Sequence, residues 1–263
     1  MAKLDKYATP ETVGEDARAL GINPHFLVTF RDATKTAIEM SSIGNATGLV
    51  PDIRGMHGPV AGILDMANYF RLKAEGGLLN RRGVVDYARP LMLPNGEVDL
   101  VNSVSPGVFV VVRASHPQIQ QDLEYFSVVH TGEYFTFYTA YHLVTNEIPL
   151  SIVWAVEDKE PTVVPRFGHL TEVIGAAKKD LPAGTTLDGG GGYTVYGVND
   201  LAVTTMAEGC VPLGLLEGAK LLKTVEKDQV VTYDTVELKS DTLLYHLRQL
   251  QDKLIPPTPA PQA

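Results

Sequence analysis

Glycine and proline interrupt this chain so often that little room is left for long helices: 24 Gly and 17 Pro are spread through 263 residues. Gly supplies positive φ and Pro removes a backbone donor, so a chain punctuated this way folds into short elements joined by turns. A mixed or β-rich architecture is expected, and a helical bundle is disfavoured. Apolar residues make up 44% of the chain, enough for a sizeable core in one or two domains. Disorder is therefore not the main state.

Charge narrows the partners. Subtracting 31 acidic from 22 basic residues leaves −9 and a pI near 5.2, with no basic tract, which argues against a nucleic-acid backbone as partner. The longest uncharged apolar run, Val108 to Val112, is far shorter than the roughly 20 residues of a membrane span. Met1 to Thr9 carries Lys3, Asp5 and Lys6 instead of an apolar signal core. These features predict a soluble, cytoplasmic protein with no membrane partner. Cys210, the one cysteine, excludes an intramolecular disulfide framework and a cysteine-rich zinc site.

Periodicity predicts a helix over Asp32 to Gly44, with Ala33, Ala37, Met40 and Gly44 on one small-residue face, and a second over Leu64 to Ala74, stopped by Gly76 and Gly77. Val84 to Tyr87, Val108 to Arg113 and Tyr134 to Tyr138 read as strands of one sheet, followed by a short buried helix from Pro149 to Val156. From Thr171 the rhythm changes to closely spaced strands: Thr171 to Ala177, Tyr193 to Val198, Ala219 to Leu222, Val230 to Thr232 and Thr235 to Leu238. Asp241 is the expected N-cap of a last helix ending near Lys253, and the Pro-rich tail beyond is expected to be disordered or extended. The fold class is α+β, divided into a mixed sheet-and-helix domain at 1–160, a small β-rich domain at 161–254 and a tail at 255–263.

Asp32, Lys35 and Glu39 fall within about 60° of one another on the first of these helices. Buried, such a stripe is suited to proton transfer; exposed, it is an ordinary solvated Lys–Glu pair. The small-residue loop from Asn45 through Arg54 and His57 would let backbone approach a ligand, or is simply a long connection shaped by Gly and Pro. His142, beside Tyr141 at a strand end, is either a proton donor or a satisfied core histidine. The seven histidines show no HExxH and no helical pair at four-residue spacing, so a divalent metal has no support from spacing. Gly189 to Gly192 match neither GxGxxG nor GxxxxGK[ST], so no cofactor-binding residue is assigned.

Phe30-Arg31-Asp32-Ala33-Thr34-Lys35, Glu39-Met40, Asn45-Ala46-Thr47-Gly48, Pro106-Gly107-Val108-Phe109-Val110, Tyr141-His142-Leu143 and Pro149-Leu150-Ser151-Ile152 resemble the catalytic part of the homoserine-dehydrogenase-like oxidoreductases. That family includes reductoisomerase-like enzymes making methylerythritol phosphate from deoxyxylulose phosphate. Asp180 to Gly184, Leu187-Asp188-Gly189, Gly191 to Gly197, Pro212 to Leu215 and Thr232-Tyr233-Asp234 resemble the SAF domain that closes those enzymes. The chain departs in having Ala33 where Gly is usual and Gly190 where a bulky apolar residue is usual. The family's NAD(P)-binding Rossmann domain would precede Lys3-Leu4-Asp5, so the nucleotide enters only if a partner domain supplies its site.

The resemblance implies Lys35, Glu39, His142 and Asp32 as catalytic residues, with Asn45, Arg54, His57 and Tyr141 binding substrate. Lys35 or His142 would face a developing alkoxide, and Glu39 would move a proton. Arg54, Arg113 and Arg166 are unranked candidates for a substrate phosphate. Three functions remain open: the catalytic portion of an NAD(P)-dependent oxidoreductase, working on a small sugar-derived or amino-acid-derived substrate with a separate Rossmann subunit; a cofactor-free isomerase or lyase; and a non-catalytic SAF-type binding module. The run Tyr134 to Tyr138 adds the expectation of a homo-oligomer.

Overall fold

The computed structural model describes residues 4–261, so Lys3 and the last two residues of the tail lie outside the described residues. Two short helices open the chain. Gly14–Leu20 (α1) stops at Gly21, and Pro24–Arg31 (α2) starts with Pro24 in its first turn and the Asn23 side chain accepting the His25 N–H. Ala8, Val13, Ala17, Leu27 and Val28 close a small core between them.

Thr34–Thr47 (α3) is the longest helix and is shifted from the expected Asp32 to Gly44. Asp32 caps the end of α2 and accepts the Thr34 N–H at 2.9 Å, so the chain re-enters helix only after Ala33. Gly44 does not stop α3, because it is where the helix meets its neighbours most closely: a Cβ there would lie 2.7 Å from the Leu49 carbonyl oxygen. The helix closes at Gly48 instead.

The expected first sheet divides in two. Val50–Pro51 (β1) runs parallel to Val84–Val85 (β2), while Val108–Arg113 (β3), His130–Thr131 (β4) and Tyr134–Thr139 (β5) form an antiparallel sheet in the order β3-β5-β4. Strand β2 ends early because the Asp86 carboxylate turns back to accept the N–H groups of His57 and Gly58. Pro117–Tyr125 (α5) joins β3 to β4.

The helix expected over Leu64 to Ala74 is broken into a 3-10 turn at Ile63–Asp65, one α turn at Met66–Tyr69 (α4) and a second 3-10 turn at Lys73–Glu75. Extended Leu72 interrupts it, and the returning chain takes the backbone groups instead, with Leu79 N–H on the Arg71 carbonyl and Lys73 N–H on that of Leu79. Nor does a buried helix start at Pro149. Val144–Val153 (α6) passes through Pro149 and continues as a π turn to Asp158, with no buried residue, its start set where the Glu147 carboxylate accepts the Leu143 N–H.

In the second half, Thr171–Ala177 (β6) and Val195–Leu201 (β7) form an antiparallel pair seven residues long, followed by Ala202–Ala207 (α7). Strand β7 begins two residues later than expected, since the N–H groups of Tyr193 and Thr194 go to the Asp188 carboxylate. Lys220–Leu221 (β8) pairs with Val236–Glu237 (β9), both shorter than expected, and Val230 to Thr232 makes only isolated bridges to Ala176 and Cys210. Leu243–Leu254 (α8) is capped by Thr242 rather than Asp241, because Thr242 Oγ1 accepts the Tyr245 N–H. The tail is extended: Pro257 bridges to His169, and Thr258 N–H reaches the His169 carbonyl. The class is α+β with a β-rich C-terminal region.

Helix α3 joins the two halves. Ala37 enters the same core cluster as Val173, Val195 and Leu216, and Thr34 Oγ1 accepts the Gly197 N–H at 2.8 Å. Beneath its start, Lys178 Nζ lies 2.9 Å from Asp32 Oδ2, with side chains 2% and 0% exposed. The same ammonium donates to the carbonyls of Ala8 (2.7 Å) and Gly192 (2.8 Å), which hold it in place beside the carboxylate.

Breaking that ion pair by Lys178→Met leaves a buried carboxylate uncompensated and is expected to cost about 3–5 kcal/mol in a denaturant midpoint measurement. Ala33 lies in left-handed conformation, at φ 63°, where glycine carries no Cβ strain. Relief of roughly 1–2 kcal/mol of strain, set against the extra freedom glycine gives the unfolded chain, predicts that Ala33→Gly gains about 0.5–1 kcal/mol in the same measurement.

Candidate functional site

The stripe expected on α3 is split by the helix start. Asp32 lies outside the helix, so helical spacing does not place it beside Lys35, and its carboxylate is buried against Lys178. Lys35 and Glu39 remain together as an ion pair on the outer side of α3, 31% and 41% exposed. Lys35 Nζ also sits 5.0 Å from the centroid of the Phe30 ring, a cation–π contact that restrains it.

Beside this pair is a cavity of about 710 Å³, within the size range of small-molecule sites. Thr34, Ile38, Ser41, Ser42 and Asn45 form its α3 wall. Neither Lys35 nor Glu39 lines the cavity, although Lys35 lies only about 20° around the helix from Ser42, two turns before it. Gly190 and Leu213 lie across from α3, and Leu244, Leu247 and Arg248 of α8 close another side. A Cβ at Gly190 would stand 3.4 Å from Thr34 and 3.5 Å from Leu213, ordinary contact distances. A bulky side chain at this position would project towards those groups and reduce the space.

Asn45 is at the cavity wall, yet its amide is engaged with β6: Oδ1 accepts the N–H groups of Leu170 (2.8 Å) and Thr171 (3.0 Å), and Nδ2 donates to the Thr171 carbonyl. The wall on α8 is fixed by Arg248, which donates to Glu172 at 2.5 Å and to Asp252 at 2.7 Å, while His169 Nε2 lies 3.1 Å from the same Glu172 oxygen. Burial pushes the Glu172 carboxyl up, but His169 and Arg248 outweigh it and hold the group below its ordinary value. Sequence reading missed Glu172 and Arg248, which are 76 residues apart. No spacing rule connects them.

The remaining candidates are dispersed. Arg54 is held by two carboxylates, Asp200 and Glu208, each at 2.6 Å. His57 is enclosed, its ring on Asp52 and its backbone on Asp86. Tyr141 and His142 are exposed beyond the end of β5, and His142 N–H reaches the Pro106 carbonyl at 3.3 Å. Among the described residues no hydrogen bond or ion pair joins His142 to Lys35 or Glu39. Arg113 pairs with Glu133 and Arg166 with Glu160 at the surface.

The glycine turn does not fit a dinucleotide. Its adjacent N–H groups at Tyr193 and Thr194 are occupied by Asp188, whose side chain stands so close to Gly192 that a Cβ there would collide with it. A pyrophosphate would meet a carboxylate already in the anion position. Among the described residues no group of three or more His, Cys, Asp or Glu is placed to hold a metal ion, and no helix is long and apolar enough to cross a membrane.

The oxidoreductase DRL catalytic-domain profile matches residues 1–148, more than half of the chain, and the chain belongs to that family. No curated protein matches it.

A depressed carboxyl stabilises the fold above its unfolded value, and that stabilisation is lost as pH falls through the folded value. For Glu172 the loss is expected below its ordinary 4.5. Denaturation midpoints measured down the acid range are expected to fall more steeply for the parent than for Glu172→Gln.

Proposed function

We propose that the chain is the substrate-binding and catalytic portion of an NAD(P)-dependent oxidoreductase. It would reduce, or reduce and isomerise, a small sugar-derived or amino-acid-derived carbonyl compound. The single observation that carries this is the Lys35–Glu39 pair, restrained on Phe30, half-open to solvent and lying within the family-matched residues. Lys35 presents a positive, proton-donating group to an oxygen gaining negative charge, and Glu39 holds that ammonium in place and exchanges its proton. The hydride, when the nucleotide is bound, comes from a separate nucleotide-binding domain, and no residue of this chain is assigned to it. The β-rich region is read as a SAF-like domain closing the cavity beside the pair.

Lys35→Met tests the reading. An exposed four-residue pair contributes little, so stability is expected to change by less than about 0.5 kcal/mol. Calorimetric binding of deoxyxylulose phosphate, the chosen probe, is expected to weaken by about tenfold or more. Equal binding by parent and variant overturns it.

We also propose a homodimer through the β3 edge. Val108, Val110 and Val112 are exposed on an edge strand, and α6 exposes Ile148, Leu150, Ile152 and Val153 with no buried residue. An open apolar edge calls for a cover, and a second β3 supplies matching donors and acceptors. Sedimentation at roughly tens of micromolar is expected to give a dimer, and Val110→Lys a monomer; a monomeric parent counts against it.

A further inference from the structure

The parallel strands β1 and β2 end side by side, with Val50 opposite Val84 and Pro51 opposite Val85, so that Asp52 and Asp86 are the next residues on each. Between them they hold one histidine by two different handles. Asp86 accepts the backbone N–H of His57 with both oxygens at 3.1 Å, together with the N–H groups of Gly58 and Tyr87. Asp52 takes the ring: His57 Nε2 lies 2.8 Å from Asp52 Oδ2, with side chains 12% and 1% exposed.

The donors around Asp52 decide which ring nitrogen carries the proton. Oδ2 also accepts the backbone N–H and the side-chain Nδ2 of Asn80, both at 2.9 Å. The Asn80 amide is oriented for this by Lys73, whose ammonium donates to Asn80 Oδ1 at 2.8 Å. Burial pushes the Asp52 carboxyl up, but Asn80 and His57 outweigh it and keep it below its ordinary value, so it is ionised at neutral pH. An ionised carboxylate only accepts, and the hydrogen must therefore sit on His57 Nε2. In the neutral ring Nδ1 then carries the lone pair. Asp52 Oδ1, meanwhile, is buried without a hydrogen-bond partner among the described residues, keeping the anion's charge concentrated at the dyad. Asp86 moves the other way from Asp52, raised by burial that its N–H donors only partly offset.

We propose that His57 is a proton-transfer group of this catalytic domain, accepting a proton at Nδ1 from a hydroxyl of a small polyhydroxylated substrate, with Asp52 as the positioning residue that sets its tautomer. The substrate O–H bond breaks and an Nδ1–H bond forms. The electron pair stays on oxygen, and the imidazolium charge faces the Asp52 carboxylate through Nε2 until the proton is returned. A hydroxyl suits the site better than a phosphate: two carboxylates flank the histidine, while the neighbouring Arg89 is engaged with the Gly58 carbonyl and Lys73 with Asn80. The inference rests on the function proposed above only for the substrate class.

Nitrogen-15 NMR of the histidine-labelled full chain, with His57 assigned by its loss in His57→Gln, is expected to show hydrogen on Nε2 and a bare Nδ1; hydrogen on Nδ1 overturns the proposal. Peptide-mapped carbethoxylation at about pH 8 reads the nucleophilicity of that bare nitrogen without any substrate. Asp52→Asn is expected to slow modification at His57 by about fivefold or more, and Asp86→Asn, which removes only a backbone acceptor, to leave it near the parent rate. An unreactive His57, or one indifferent to Asp52→Asn, overturns the proposal, and the NMR result on the parent stands should either variant fail to fold. Deoxyxylulose phosphate is expected to protect His57 from modification by about tenfold. Calorimetric binding without protection overturns the role of His57 alone. No binding at all overturns the proposed function instead, and His57 is then judged on its tautomer and its response to Asp52→Asn.

Discussion

The Asp32–Lys178 ion pair is the point on which the two halves of the molecule turn. A lone buried charge is unstable, and Lys178 is tolerated because Asp32 balances its charge and the carbonyls of Ala8 and Gly192 accept from it. Those four groups come from the N-terminal segment, the α2–α3 junction, the end of β6 and the turn before β7. The start of α3 is fixed relative to all of them at once.

From that fixed start, the rotation of α3 assigns its faces. Ala37 and Gly44 go to the core against β6 and β7, and the opposite face carries Ile38 and Ser42, which line the cavity, together with the Lys35–Glu39 pair. A one-residue slip would turn every side chain by about 100° and exchange these environments. Asn45 guards against such a slip at the far end, because its amide meets the backbone of Leu170 and Thr171 in one register only. The chemistry of the charged pair and the packing of the hairpin thus depend on the same helix.

A second constraint acts where β1 and β2 end. Each is two residues long, too short to be stable as a strand by itself, and the carboxylates that follow them add hydrogen bonds to the His57 backbone and ring and to the Tyr87 N–H. The loop is shaped by side-chain acceptors in place of backbone pairing, which leaves a histidine ring enclosed between acidic groups.

Local sequence determined the elements whose signals are local. The valine and aromatic runs of β3 and β5, the β6 strand and the amphipathic α8 were legible because alternation or helical period is written in consecutive residues, and the Lys35–Glu39 pair because four residues bring it one helical turn along. The α+β class was legible in the spacing of Gly and Pro. What the sequence left undecided was whether a charged residue is buried. Asp32 and Lys35 looked alike on a helical wheel, and they separated because Asp32 falls in the junction before the helix and meets Lys178 from the far half of the chain. The same reason explains why Asp52, Asp86, Glu172 and Arg248 were not singled out, and why the run around Pro149 read as buried when nothing described covers it. Helix breaks, ion pairs and cavity walls are contacts between distant residues, and only the tertiary structure brings those residues to one place.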